Sequence, residues 1–186
     1  AVLAADERLH AATLPAEFRE SSTKAGTGLL ELLSDTDAGF GLPTTDGGAA
    51  GVGVPDAYSA ADTADDGITT DDGITADYGA VVESGETPGH HAVALGVVCQ
   101  ASGIDREAAC QVLAYTVVTD LLGAAQRLGR FGHTEIQTIL SEQLPVIDEL
   151  STEYADADLA ALGSFAPLAD VMGMAHERAD RRLFVS

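Results

Sequence analysis

The chain is predicted to fold as an all-α helical bundle that carries a long acidic, disordered insertion. Three observations carry this prediction. Apolar residues recur at intervals of three and four, the spacing that gathers them on one face of a helix. Residues that start and stop helices bracket these stripes. No segment alternates polar and apolar with the period of two that a half-buried strand requires. At 186 residues the chain suits one domain with a sizeable core, or a smaller core with an insertion.

Three zones follow in order. Residues 1–34 read as a pair of helices. Asp6 to Thr13 carries Leu9 and Leu14 on a short apolar stripe. Pro15 then opens a second helix, where its missing N–H costs nothing. Glu17 and Glu20 lie in the first turns, where carboxylates favour the dipole, and Phe18, Leu29, Leu30 and Leu33 supply apolar contacts. Gly26 and Gly28 weaken that helix and suggest a close helix–helix approach.

Residues 35–88 have a different composition: twelve acids, no base, and many Gly, Ala and Thr, with a tandem Asp-Asp-Gly-Ile-Thr at 65–69 and 71–75. So little apolar surface does not offset the entropy of ordering the segment, so it is read as a disordered insertion. Calcium binding is a sharper reading, but the spaced Asp-x-Asp-x-Asp-Gly…Glu ligand set is missing.

Residues 89–186 are expected to form the helical core, in one domain with residues 1–34. His91 to Ala101 is apolar nearly all round; Gly103 ends it and Asp105 caps the next helix. That helix, 106–128, spaces Leu113, Val117, Leu121, Ala124 and Leu128 on one stripe, with Val112, Tyr115 and Leu122 on a second. Two stripes predict a place in the middle of the bundle. Asp120 on this helix would need a partner there, Arg127 being the nearest. Thr134 and Gln137 read as a capping box. Ile136, Ile139, Leu140 and Ile147 continue the stripe, with Pro145 breaking or kinking the helix. A last helix is expected from Pro167 to about Arg182, its basic end matching the negative pole of the dipole.

Charge excludes several functions. Thirty acidic residues face nine basic ones, a net of −21, and Lys24 is the only lysine. Such a surface repels nucleic acid and anionic lipid. Its Asp-rich, Lys-poor form fits a cytoplasm at very high salt, where screening removes self-repulsion. Cys99 and Cys110 have apolar surroundings and no CxxC spacing, so buried thiols in a reducing cytosol are expected. The apolar run from Ala92 to Cys99 is too short to cross a membrane, and no signal peptide is expected. The start at Ala1 rather than Met suggests that something upstream is missing.

Catalytic motifs are absent. There is no Gly-x-Ser-x-Gly elbow and no Gly-rich phosphate loop, so the chain is not expected to bind nucleotide by itself. His176-Glu177 lacks the second histidine of a zincin helix. His91 and Cys99, with His90 beside them, fall two turns apart on one helix face, but a metal site needs three or four converging ligands. A packing role is the simpler reading; a metal-dependent helical enzyme using these three is the alternative. Arg178, Arg181 and Arg182 are three of the nine bases, grouped with Leu183 and Phe184. Arginine beside aromatic and aliphatic side chains is the composition of an interface anchor.

The segments Ser164-Phe165-Ala166-Pro167-Leu168-Ala169-Asp170, Met174-Ala175-His176-Glu177 and Arg182-Leu183-Phe184-Val185-Ser186 resemble the closing "SFAPLxDxxxMxHE…RLFxS" pattern of the urease accessory protein UreF family. Asp6 to Ser22, with Leu14-Pro15 between two helices, is similar to a mid-family stretch, and Gly26, Leu29 and Leu30 follow at the family's spacing. His90 and Gly96 fit its "HxxxxxG" helix start. Arg127-Leu128-Gly129-Arg130-Phe131-Gly132-His133-Thr134-Glu135-Ile136-Gln137 resembles "RLxPLGQTxxQ", with Arg130-Phe131 and His133 in place of Pro-Leu and Gln. The family's N-terminal block, with a "DSxLPxGGxxHSxGLE"-like pattern, is missing.

The resemblance implies a cytoplasmic, non-enzymatic, dimeric all-α protein that helps deliver nickel to apo-urease. It would bind the accessory protein UreH or UreD and recruit the GTPase UreG. Nickel and GTP would be used by the complex, with no cofactor bound to this chain. Partner contacts would fall on Arg182, Leu183, Phe184 and Ser186, with His176, Glu177, Arg127 and Gln137 matching family motifs. A helical scaffold unrelated to urease is the alternative from a different class.

Overall fold

The computed structural model describes residues 1–35, 72–163 and 166–178. Among them are seven α-helices, one short 3-10 turn and no strand, so the all-α class holds.

The helix α1 (Val2–Ala12) begins four residues earlier than its stripe suggested. It stops at Thr13, whose N–H and hydroxyl both reach the carbonyl of Leu9. Pro15 is buried just before α2 (Ala16–Asp35). Arg19 braces the bend between them by donating to the carbonyls of Thr13 and Leu14, each at 2.7 Å.

Part of the low-complexity segment is helical. Residues 36–71, including the first Asp-Asp-Gly-Ile-Thr, lie outside the described residues. The second repeat opens α3 (Asp72–Glu83), contrary to the reading of a disordered insertion reaching residue 88. Ile74, Tyr78 and Val82 stand at i, i+4 and i+8, and this stripe is long enough to bury one face. Tyr78 enters the core with Leu30, Ala94 and Val97, packed round by Val2, Leu29, Ile74, Val82 and Val93. The turn after α3 passes through Gly85 and Gly89, both with positive φ, a region in which a side chain would be strained.

The most deeply buried helix is α4 (His91–Ala101), with Ala94, Val97 and Cys99 inaccessible. It packs on α1, α2, α3 and the next helix. The predicted close approach occurs at Gly26, where a Cβ would collide with backbone atoms of Gly89, His90 and His91. Gly28 faces open space.

Gly103 takes positive φ and Asp105 accepts from Ala108 N–H at 2.8 Å, so α5 (Arg106–Arg127) starts where expected. Its place differs from the expectation. No residue of α5 is fully buried; it lies at the edge, packed on α4 and on α6 (His133–Tyr154), with Leu121 67% exposed. Asp120 is also exposed, so water solvates it without the ion pair a central position would have required. By length and composition alone α5 could cross a membrane, whereas α4, which carries the apolar run Ala92 to Cys99, is too short.

The predicted cap of α6 shifts by two residues. Gly132 is the N-cap and its N–H donates to Glu135 Oε2 at 2.8 Å, so Glu135 does what was assigned to Gln137. Pro145 sits inside α6 without ending it. Asp158 caps the 3-10 turn Leu159–Ala161, and α7 (Pro167–His176) begins with its proline at the first position, as predicted.

Candidate functional site

Asp6 is a charged side chain with no solvent exposure, and four donors converge on it. Its Oδ2 accepts from Tyr78 Oη at 3.0 Å, Thr87 Oγ1 at 2.7 Å and Gly89 N at 2.6 Å, and its Oδ1 from His90 N at 2.9 Å. Burial pushes its carboxyl up, but the bonds from Thr87, Gly89, His90 and Tyr78 outweigh this and hold it below the ordinary value. The carboxylate therefore joins α1, α3 and the N-terminal end of α4, where the helix dipole also favours negative charge. Burial, then the Asp6 charge and its hydrogen bond, push the Tyr78 hydroxyl well above its ordinary value, so it remains a donor.

His90, the N-cap residue of α4, is fully buried beside this centre. Its Nδ1 meets Ser22 Oγ and its Nε2 meets His10 Nδ1, each at 3.0 Å. Ser22 Oγ also accepts from His91 N at 3.3 Å. Burial lowers the affinity of His90 for a proton; the Asp6 charge opposes this, and His10 and Arg19 add to it. A neutral ring fits the geometry, because the bonds at Nδ1 and Nε2 need one donor and one acceptor nitrogen if Ser22 donates.

Ser22, His90 and Asp6 share the residue types of a hydrolytic triad but not its wiring. Asp6 bonds the backbone of His90 and not its ring, and the second ring nitrogen is taken up by His10. The arrangement holds three helices together and leaves no face of His90 open to a substrate.

The end of α7 forms a second polar junction. His176 Nδ1 meets Glu17 Oε2 at 2.8 Å, and Glu17 N donates to Glu177 Oε1 at 3.1 Å. Glu17 thus bonds both residues, one through its carboxylate and one through its N–H in the first turn of α2. Nearby, Gly173 sits so close to Pro15 and Phe18 that a Cβ would lie 2.9 Å from Pro15 Cγ. Arg8 holds the preceding linker by donating to the carbonyls of Ala160 and Leu162.

The sequence-derived candidates fall in different places. His90 and His91 stand at the start of α4 and Cys99 near its end; burial pushes the Cys99 thiol up, which disfavours the thiolate a metal would need. No group of three or more His, Cys, Asp and Glu converges among the described residues. Arg127 ends α5 and Gln137 lies on exposed α6 surface. Arg182, Leu183, Phe184 and Ser186 lie outside the described residues. Sequence reasoning missed Asp6, Ser22 and Glu17 as organising residues. Asp6 and Ser22 lie within the quoted family-like stretch, but their partners are 68 to 84 residues away.

Comparisons with known proteins place the sequence among known relatives. The chain is 35% identical over 105 residues to "Urease accessory protein UreF 1" of Brucella melitensis, covering 56% of this chain and 44% of that protein. It is 32% identical over 96 residues to "Urease accessory protein UreF" of Trichodesmium erythraeum, covering 52% and 41%. The corresponding protein of Cereibacter sphaeroides is 35% identical over 92 residues, covering 50% and 44%. The matched stretches span less than half the length of each relative. No solved structure matches the chain. The family profile described as UreF matches residues 1–144, which contain both the Asp6 centre and the Glu17 end of the second junction. The chain therefore belongs to the UreF family.

Proposed function

We propose that this chain is a non-enzymatic urease accessory protein that takes part in delivering nickel to apo-urease. Its membership of the UreF family over residues 1–144 carries this reading. The serine, histidine and aspartate that share a triad's residue types are consumed in joining helices. In this reading the chain works as a homodimer in the cytoplasm, bound to a UreH- or UreD-type protein, and recruits a UreG-type GTPase to apo-urease. GTP is hydrolysed by the GTPase, and nickel is the cargo of the assembly. The segment after α7, with Arg182, Leu183, Phe184 and Ser186, supplies the anchor, and the excess of acid suits it to high salt.

The test is co-purification with the UreH/UreD-type protein and the GTPase in molar KCl. The full chain is compared with one ending at Asp180. Capture by the full chain and its loss on truncation is the expected result. A folded full chain that captures neither protein would overturn the reading.

A further inference from the structure

α7 is held differently from the other helices. Several of its apolar side chains face outward: Leu168 is 75% exposed, and Val171 and Met172 are also exposed, while Met174 is half-buried. Its principal neighbour is α2. The residues that turn inward are Asp170 and Gly173, with Gly173 against Pro15 and Phe18. A polar connection lies at the last turn. His176 bonds the Glu17 carboxylate while the Glu177 carboxylate accepts from Glu17 N–H. That N–H is one of the donors a helix start leaves without an intrahelical partner, and Glu177 also meets the positive end of the α2 dipole. Two adjacent residues at the C-terminus of α7 therefore grip one residue from two directions. Eight residues, 179–186, follow Arg178 in the sequence.

From this we infer that Glu17 is a positioning residue: with His176 and Glu177 it forms a clasp that sets the point from which the C-terminal segment departs toward its partner. The inference rests on the proposed accessory role and extends it. It gives His176 and Glu177 a role through Glu17, in place of direct contact with the partner. A loose departure point would spread the anchor over many orientations and add an ordering cost to binding.

The test uses the full chain with Glu17→Ala, His176→Ala, their double variant and the conservative His176→Asn, whose side-chain amide can stand in for Nδ1. Two quantities are read: the rate of tryptic cleavage after Arg178, Arg181 and Arg182, and the affinity for the immobilised UreH/UreD-type protein. Each alanine variant is expected to speed C-terminal cleavage and weaken capture about fivefold, the size suited to a part-exposed charge-assisted contact. The double variant should be no worse than either single one, since both remove the same contact. His176→Asn should recover most of both readouts, and it serves as the folded reference if an alanine variant does not fold. Unchanged cleavage in all variants would overturn the clasp. Faster cleavage with unchanged capture, while truncation at Asp180 abolishes capture, would show that the clasp holds α7 but does not position the anchor. Weak capture in His176→Ala with normal capture in Glu17→Ala would assign His176 to direct contact and also overturn the inference. If truncation at Asp180 leaves capture intact, the anchor reading fails and the positioning role falls with it, although the cleavage rates still report whether the clasp exists.

Discussion

Replacing Asp6 tests whether one carboxylate organises the bundle. In Asp6→Ala four donors lose their acceptor: Tyr78 Oη, Thr87 Oγ1, Gly89 N and His90 N, at 2.6 to 3.0 Å in the native protein. The two hydroxyls can rotate toward other partners, but the two backbone N–H groups are fixed at the start of α4. A buried donor left unpaired costs about 1–3 kcal/mol, and removing the charge recovers part of its desolvation cost. The expected net loss is about 3–5 kcal/mol, a large share of the roughly 5–15 kcal/mol typical of a domain. Asp6→Asn should cost about 2 kcal/mol, because a flipped amide can keep its oxygen toward Tyr78, Thr87 and Gly89 and lose only the bond to His90. Tyr78→Phe, which removes one of four bonds, should cost about 1 kcal/mol. Urea titrations followed by circular dichroism at fixed KCl measure all three. Because the folded carboxyl lies below its ordinary value, its stabilisation is present above the unfolded carboxylate range and is lost as pH falls through the folded value. The gap between wild type and Asp6→Asn should therefore be full at neutral pH and close below about pH 4. An Asp6→Ala cost under about 1 kcal/mol would refute the reasoning, since it would mean that the four donors find equal partners elsewhere.

Three further outcomes are expected. His90 binds a proton less readily when folded than when unfolded, owing to burial, against Asp6 and with His10 and Arg19, so its stabilisation is present above about pH 6.5 and is lost as the pH falls. Melting curves from pH 8 to 5 should show a steeper loss for wild type than for His90→Gln, and parallel curves would contradict this. Gly26→Ala should cost about 2–4 kcal/mol by forcing α2 away from the turn at Gly89 to His91, whereas Gly28→Ala, facing open space, should gain about 0.5–1 kcal/mol. Leu30→Ala should cost about 2–4 kcal/mol by opening the core, and Leu121→Ala should stay within about 0.5 kcal/mol; equal costs would contradict the edge position of α5.

Local signals in this chain were mostly legible. Asp105 as a cap, Gly103 as a stop and Pro167 as a helix start act within a turn of themselves, and each appears where the residue type demands it. The Ile74, Tyr78 and Val82 stripe was equally local, but it was averaged away by the Asp, Gly and Thr around it. The α6 cap moved because Glu135 reaches Gly132 as readily as Gln137 could reach Thr134, and the loop geometry chose between them.

By itself the sequence determined an all-α protein, helices beginning and ending near their punctuating residues, and a family likeness in ordered segments. Those properties follow from backbone sterics, capping and periodicity, which act over a few residues. Only the tertiary structure decided that α5 lies at the edge, that Asp6 is the buried joint of three helices, that His90 is held between Ser22 and His10, and that Glu17 meets His176 and Glu177. Each of these depends on partners 68 to 160 residues apart or on which neighbours cover an apolar stripe. A stripe records how much surface a helix offers for burial, and a carboxylate records only a charge. Whether either is covered is settled by packing and by the donors that the folded chain brings within reach.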